Sequence, residues 1–223
     1  MISLLFHSPP LFIAFATAFL AALTIHEFSH GYAAYMLGDD TAKRQGRLTL
    51  NPLKHLDVFG TLMILFAGIG WAKPVPFNPY NFKEMKVGSA LTAAAGPASN
   101  FILATFTAII IRLLPEGVFG HTVTTFSHIL HPDASFITIS LFLFVHVNIL
   151  LGCFNLLPVP PLDGSKIIGG FLPDNMYFKW LSWESKAGML LMIILLIGVF
   201  TRRSIIFMVI GPPMEFIRAL LLG

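Results

Sequence analysis

The stretch "VFGTLMILFAGIGWAKPVPFNP", residues 58–79, decides how the chain is threaded. Its apolar part is about 15 residues long, shorter than the roughly 17–25 that a membrane-crossing helix needs. Gly60, Gly68 and Gly70 interrupt it, and Pro74, Pro76 and Pro79 follow. Such a segment fits a re-entrant or β-like element tucked against protein better than a crossing helix. The flanking charges agree. Lys43, Arg44, Arg47 and Lys54 precede it, and Lys73, Lys83 and Lys86 follow it. By the positive-inside rule both flanks belong to the cytoplasm. A segment with both ends on one side does not cross.

The rest of the chain sets that stretch in a membrane. Of 223 residues, 56% are hydrophobic and 11% charged, where a soluble domain carries about 25% charged residues. The mean hydropathy is +0.79. Apolar runs over residues 11–37, 88–114 and 136–157 are long enough to span the bilayer. Two more, 187–200 and 205–222, are separated only by "TRRS" and read as a helical hairpin. The expected fold is therefore an all-α membrane protein: a polytopic helical bundle of about five to six transmembrane segments forming one domain over 1–223. The loop 115–135 has no Lys or Arg and should face outward, while 158–186, with Lys166, Lys179 and Lys186, should face inward. Arg202 and Arg203 fall on the outer side, against the rule. No Lys or Arg precedes the first apolar run, which continues into a histidine cluster instead of a small-residue cleavage site, so it reads as a retained helix.

The net charge of +3 is spread over loops, with no basic, aromatic-interleaved patch of the kind that binds nucleic acid. The single cysteine, Cys153, lies in an apolar run; it excludes an intramolecular disulfide and reads as a small buried residue.

The chemistry is concentrated in "LTIHEFSHGYAAYMLG", residues 23–38. His26, Glu27 and His30 match H-E-x-x-H. On a helix, positions i and i+4 share a face, so both imidazoles can bind one zinc ion while Glu27 activates a water. A lone histidine near a membrane boundary reads as a snorkelling or packing residue. Three ionisable groups on one intramembrane helix read as a functional site. Catalytic zinc usually takes three protein ligands and keeps one position for water, and the strongest candidate for the third ligand is Asp163 in "NLLPVPPLDG", residues 155–164. If the first helix starts outside, His26 lies about 16 residues, or roughly 24 Å, along it. In a hydrocarbon core about 30 Å thick that depth is toward the cytoplasmic side. The third span reaches Asn155 at a similar depth, and Asp163 follows. The two motifs meet only if residues 58–79 turn back.

"HEFSH" in a first apolar helix, "GPASN" (96–100) in a later one and "NLLPVPPLDG" ending another together resemble the site-2 protease family of intramembrane zinc metalloproteases. "GDDTAKRQGRLTLNPLKHLD" (38–57) and "GWAKPVPFNP" (70–79) resemble its small bacterial and archaeal branch, which lacks PDZ and CBS modules. The resemblance covers nearly the whole chain. It implies one zinc ion per chain held by His26, His30 and Asp163, with Glu27 as general base and later proton donor. It implies a zinc endopeptidase of a bacterial or archaeal cell membrane that cleaves transmembrane protein or peptide substrates in or near their membrane segments. It further implies that residues 66–79 hold unwound substrate, as an exposed strand edge is able to do.

Other polar residues have two readings each. Asn155 is a candidate for binding substrate backbone or oxyanion charge, or for capping its helix beside Pro158; Asn100 faces the same choice. Asn148 fits an interhelical hydrogen bond, and Gly96 and Pro97 fit close helix packing or a kink. His146 is a spare ligand or a packing residue. His55 and Asp57 read as loop anchors. His121, His128 and His131 have no metal-site spacing. Two other classes compete with the protease. A transporter would show repeated halves and paired broken helices, which the chain lacks; a silent scaffold would lack Glu27 or a ligand.

Overall fold

In the computed structural model, residues 2–68, 70–113, 135–201 and 205–223 are described. The loop histidines His121, His128 and His131, and Arg202 and Arg203, lie outside them. After a short helix α1 (Ile2–His7), α2 runs over Pro9–Met36. Its first two residues are prolines, whose missing N–H groups would have had no helical partner there. It ends at Leu37, followed by Gly38 at φ 103°. A one-turn helix α3 (Thr41–Arg44) leads to α4 (Val58–Ala67). Next come α5 (Met85–Leu113), α6 (Phe136–Asn155), α7 (Asp163–Phe171), α8 (Asp174–Ser182), α9 (Glu184–Thr201) and α10 (Ile205–Leu222). No strand occurs among the described residues, so the fold is all-helical as expected.

The three longest helices, α2, α5 and α6, are long and apolar enough to cross a membrane. The shortest, with 20 residues, extends about 30 Å, the thickness of a hydrocarbon core. They pack on one another around Ala14, Ala18 and Ala22 of α2, Ala104 and Ala108 of α5, and Phe142, Val145 and Ile149 of α6. Alanines at the seam let the backbones approach, which is how helices gain van der Waals contact where lipid removes the hydrophobic drive. The C-terminal helices α9 and α10 occupy the two expected segments with 18 residues each, and α10 packs on α6 and α5.

Residues 58–79 turn back on themselves. Asp57 caps α4 by accepting a hydrogen bond from the Gly60 N–H at 2.8 Å. After ten helical residues Gly68 stops it at φ 77°, the left-handed position that a side chain disfavours. The chain then returns in extended form. Ala72 pairs with Leu56 in an antiparallel bridge, and the Lys73 N–H donates to the His55 carbonyl at 2.9 Å. Gly60 lies so close to the Trp71 backbone that a Cβ there would collide with its carbonyl. The start and the end of the segment are thus neighbours. A ten-residue helix reaches only about 15 Å, half of the hydrocarbon thickness. Val58, Phe59 and Phe66 of α4 are exposed, an apolar surface suited to lipid. The β-like reading reduces to that single bridge; the element is a short helix with an extended return.

Candidate metal centre

His26 and His30 lie one turn apart on α2, with ring centroids 4.6 Å apart and planes at 89°. Each ring is held from behind by an acceptor. His26 Nδ1 is 2.6 Å from the Asn100 side-chain oxygen, and His30 Nδ1 is 2.7 Å from the Thr92 carbonyl. An oxygen acceptor there requires Nδ1 to carry the proton, so Nε2 of a neutral ring presents a lone pair. The two Nε2 atoms are 3.0 Å apart, and each is 3.2 Å from Asp163 Oδ2. That oxygen is buried, and no hydrogen-bond donor reaches it among the described residues. With both rings neutral, the two Nε2 lone pairs and the Asp163 oxygen face one another. This is repulsive unless a cation sits among them.

The set fits zinc. Tetrahedral zinc with bonds of about 2.0–2.1 Å spaces its ligand atoms about 3.3 Å apart. His26 and His30 are buried and Asp163 nearly so; a dry mixed nitrogen and oxygen set of this kind suits that ion. Asp163 is the first residue of α7, delivered by the "PVPP" turn that follows α6.

Asn100 is wholly buried, and both of its amide hydrogens are used: toward Asn148 Oδ1 at 2.9 Å and the Ala22 carbonyl at 3.3 Å. Asn148 in turn donates to the Phe144 carbonyl at 2.8 Å. The pair links α2, α5 and α6 behind His26. Gly96 of α5 lies under both rings. A Cβ there would stand 2.7 Å from His26 Cε1 and would overlap His30. Pro97 next to it lacks the N–H that would bind the Ala93 carbonyl, which loosens α5 beside the centre.

Glu27 is buried, and its Oε2 accepts from the Val75 N–H at 2.9 Å. Beyond Val75 lies a cavity of about 330 Å³, with Pro74, Val75 and Phe77 on one side and Pro160, Ser165 and Lys166 on the other. The Lys166 ammonium sits 5.4 Å from the centroid of the Phe77 ring. The cavity is apolar with one cation, and it adjoins both Glu27, through Val75, and the Asp163 segment.

The structure gathers His26, Glu27, His30 and Asp163, with Asn100 behind them. Asn155 instead donates to the Leu151 carbonyl of its own helix at 3.0 Å. His146 stacks on Phe142. Asp57 is the α4 cap, and His55 is fully buried with Nε2 2.8 Å from the Thr49 carbonyl, so both anchor the loop. Sequence reading missed Thr92 and Val75, which act through backbone atoms. The only trace of Val75 was its place between two prolines.

The model of peptidase family M50 matches residues 14–199. A Bacillus subtilis protein provisionally named zinc metalloprotease YwhC is 44% identical over 166 residues, covering 74% of this chain and 72% of that protein. A Mycolicibacterium smegmatis protein provisionally named zinc metalloprotease Rip2 is 29% identical over 192 residues, covering 83% and 67%. No solved structure matches the chain.

Proposed function

The chain belongs to peptidase family M50, the site-2 protease family, and from that premise we propose that it hydrolyses peptide bonds in or near the membrane segments of protein substrates, using zinc and Glu27. The reading is carried by one observation: His26 Nε2, His30 Nε2 and Asp163 Oδ2 converge within 3.0–3.2 Å of one another in a group able to hold a metal ion. These three residues would hold one zinc ion. The chemistry that zinc supplies when bound is Lewis acidity, which polarises the scissile carbonyl and makes water a nucleophile near neutral pH.

The protein's own groups do the rest. Asn100 and the Thr92 carbonyl fix the tautomers, so that both Nε2 lone pairs point inward. Glu27 takes a proton from the attacking water as the new C–O bond forms. It then passes that proton to the amine nitrogen as the C–N bond breaks, so water is consumed and one acid and one amine appear. The apolar cavity beside Val75 receives an extended substrate segment, and its walls limit bulk water. The charge distribution around residues 58–79 supports a centre toward the cytoplasmic face.

Reconstitution with a model transmembrane substrate tests this. Wild type should cleave it and bind one zinc per chain, and Glu27→Gln should keep the zinc and lose cleavage. Equal cleavage by Glu27→Gln would refute the role of Glu27, and an active protein without metal would refute the zinc site.

A further inference from the structure

Three buried acidic or basic residues among those described lie outside the metal centre and take no part in the chemistry above: Asp39, Arg47 and His55. All three are on the connection between α2 and α4, and all hold the backbone of the chain returning from α4. The His55 carbonyl accepts from the Lys73 N–H at 2.9 Å, while its buried ring is fixed on Thr49. Arg47 Nη2 donates to the Lys73 carbonyl at 2.7 Å. Asp39 Oδ2 accepts from the Asn78 N–H at 2.7 Å, and its Oδ1 accepts from the Asn81 amide at 2.6 Å. The strap is thus clamped at Lys73 and again at Asn78. Between the clamps lies Pro74-Val75-Pro76. Proline has no N–H, so Val75 carries the only backbone donor of the three, and that donor is spent on Glu27 Oε2 at 2.9 Å. One turn further along the same face of α2, Val75 Cγ1 would stand 3.1 Å from a Cβ placed on Gly31, so the strap rests directly on α2.

Burying Asp39, Arg47 and His55 is costly, the more so because Arg47 Nε and His55 Nδ1 have no hydrogen-bond partner among the described residues. Holding one N–H in register with one carboxylate oxygen is a reason to bear that cost. A general base must sit within hydrogen-bond reach of its proton, and an ångström of misplacement costs a large factor in rate. We propose that the strap is a positioning device for the catalytic carboxylate. The Val75 N–H occupies one oxygen of Glu27 and so fixes the rotamer that takes the water proton, and Asp39, Arg47 and the His55 turn keep that N–H in place. The proposal rests on the reading of Glu27 as the base.

The test is a double-mutant cycle in the reconstituted full-length protein. Replacing Val75 by its α-hydroxy acid analogue removes the N–H alone and keeps the isopropyl group. In wild type this should lower kcat by about tenfold to a hundredfold, as expected for a lost hydrogen bond to a charged group. KM and zinc content should not move. On the small residual rate that Glu27→Gln retains above the uncatalysed background, the same replacement should cause no further loss, because the N–H acts only through Glu27. Val75→Pro should reproduce the effect genetically, and Val75→Ala, which retains the N–H, should recover most of kcat. An ester variant within twofold of wild-type kcat, losses that add in the cycle, or loss of zinc with the ester would each overturn the positioning role alone. Full activity of Glu27→Gln would overturn the functional reading and the proposal together.

Discussion

His26 Nδ1 lies 2.6 Å from the side-chain oxygen of Asn100, and that contact decides which ring nitrogen faces the metal centre. Asn100→Leu keeps much of the volume and removes the acceptor. His26 is then free to change tautomer or turn, and Asn148 loses its donor. Zinc affinity should fall by about tenfold to a hundredfold, the usual effect of losing a partner behind a metal ligand. Chelator competition on the purified protein measures it; wild-type affinity would remove Asn100 from the ligand-orienting role.

Gly96→Ala should act on both histidines at once. The added methyl would overlap the two rings, whose Nδ1 atoms are held by the Asn100 side chain and the Thr92 carbonyl, so neither moves aside freely. Overpacking of this kind costs about 1–3 kcal/mol. Zinc stoichiometry and cleavage should fall together, whereas Gly211→Ala, with open space around it, should change neither.

Metal removal should destabilise the fold, because the centre joins α2 to α7 through a ligand set that repels itself when empty. With zinc at a hundred times its dissociation constant the linkage is about 2.7 kcal/mol, or roughly 5–10 °C in melting temperature for a chain of this size. Thermal unfolding in detergent with and without chelator tests this. Asp163→Asn should show little chelator response.

Acid should loosen the strap through Asp39. Burial pushes its carboxyl upward, but hydrogen bonds from the Thr41 hydroxyl, the Asn78 N–H, the Asn81 amide and the Thr41 N–H outweigh that and leave it below the ordinary carboxylate value. A depressed value means that the folded state binds the proton less readily than the unfolded chain does. The stability it contributes is therefore complete above the ordinary carboxylate pKa of about 3.9 and is lost as pH falls through the folded value. Asp39→Asn should be less stable at neutral pH and should lose less stability than wild type on acidification. Parallel unfolding curves for the two proteins down to the acid limit would contradict this.

The turn at residues 58–79 predicts sidedness. In a Cys153→Ala background, single cysteines at Lys54 and Lys83 should both react with an impermeant thiol reagent from the same face of sealed vesicles. A crossing segment would leave one of them protected.

Much of this was legible in residue identities. The i, i+4 histidines, the intervening glutamate, the apolar run lengths and the proline-bounded aspartate are side-chain facts, and helix geometry converts them directly into a shared face and a common depth. Charge flanking gave the turn at 58–79, which the pairing of Leu56 with Ala72 bears out. The extended return after Gly68 was legible only as a choice between re-entrant and β-like, because period and propensity say little about ten residues rich in glycine and proline. What only the tertiary structure decided are the groups that aim the site. The Thr92 carbonyl is a backbone atom that every neighbouring residue also possesses, the Val75 N–H is set apart only by its two proline neighbours and nothing in its residue type points it at Glu27, and Gly96 matters because two rings from another helix rest on it. Such roles depend on which backbone atom lies within about 3 Å of which side chain, a distance fixed by how α2, α5 and the strap pack and carried by no residue type alone.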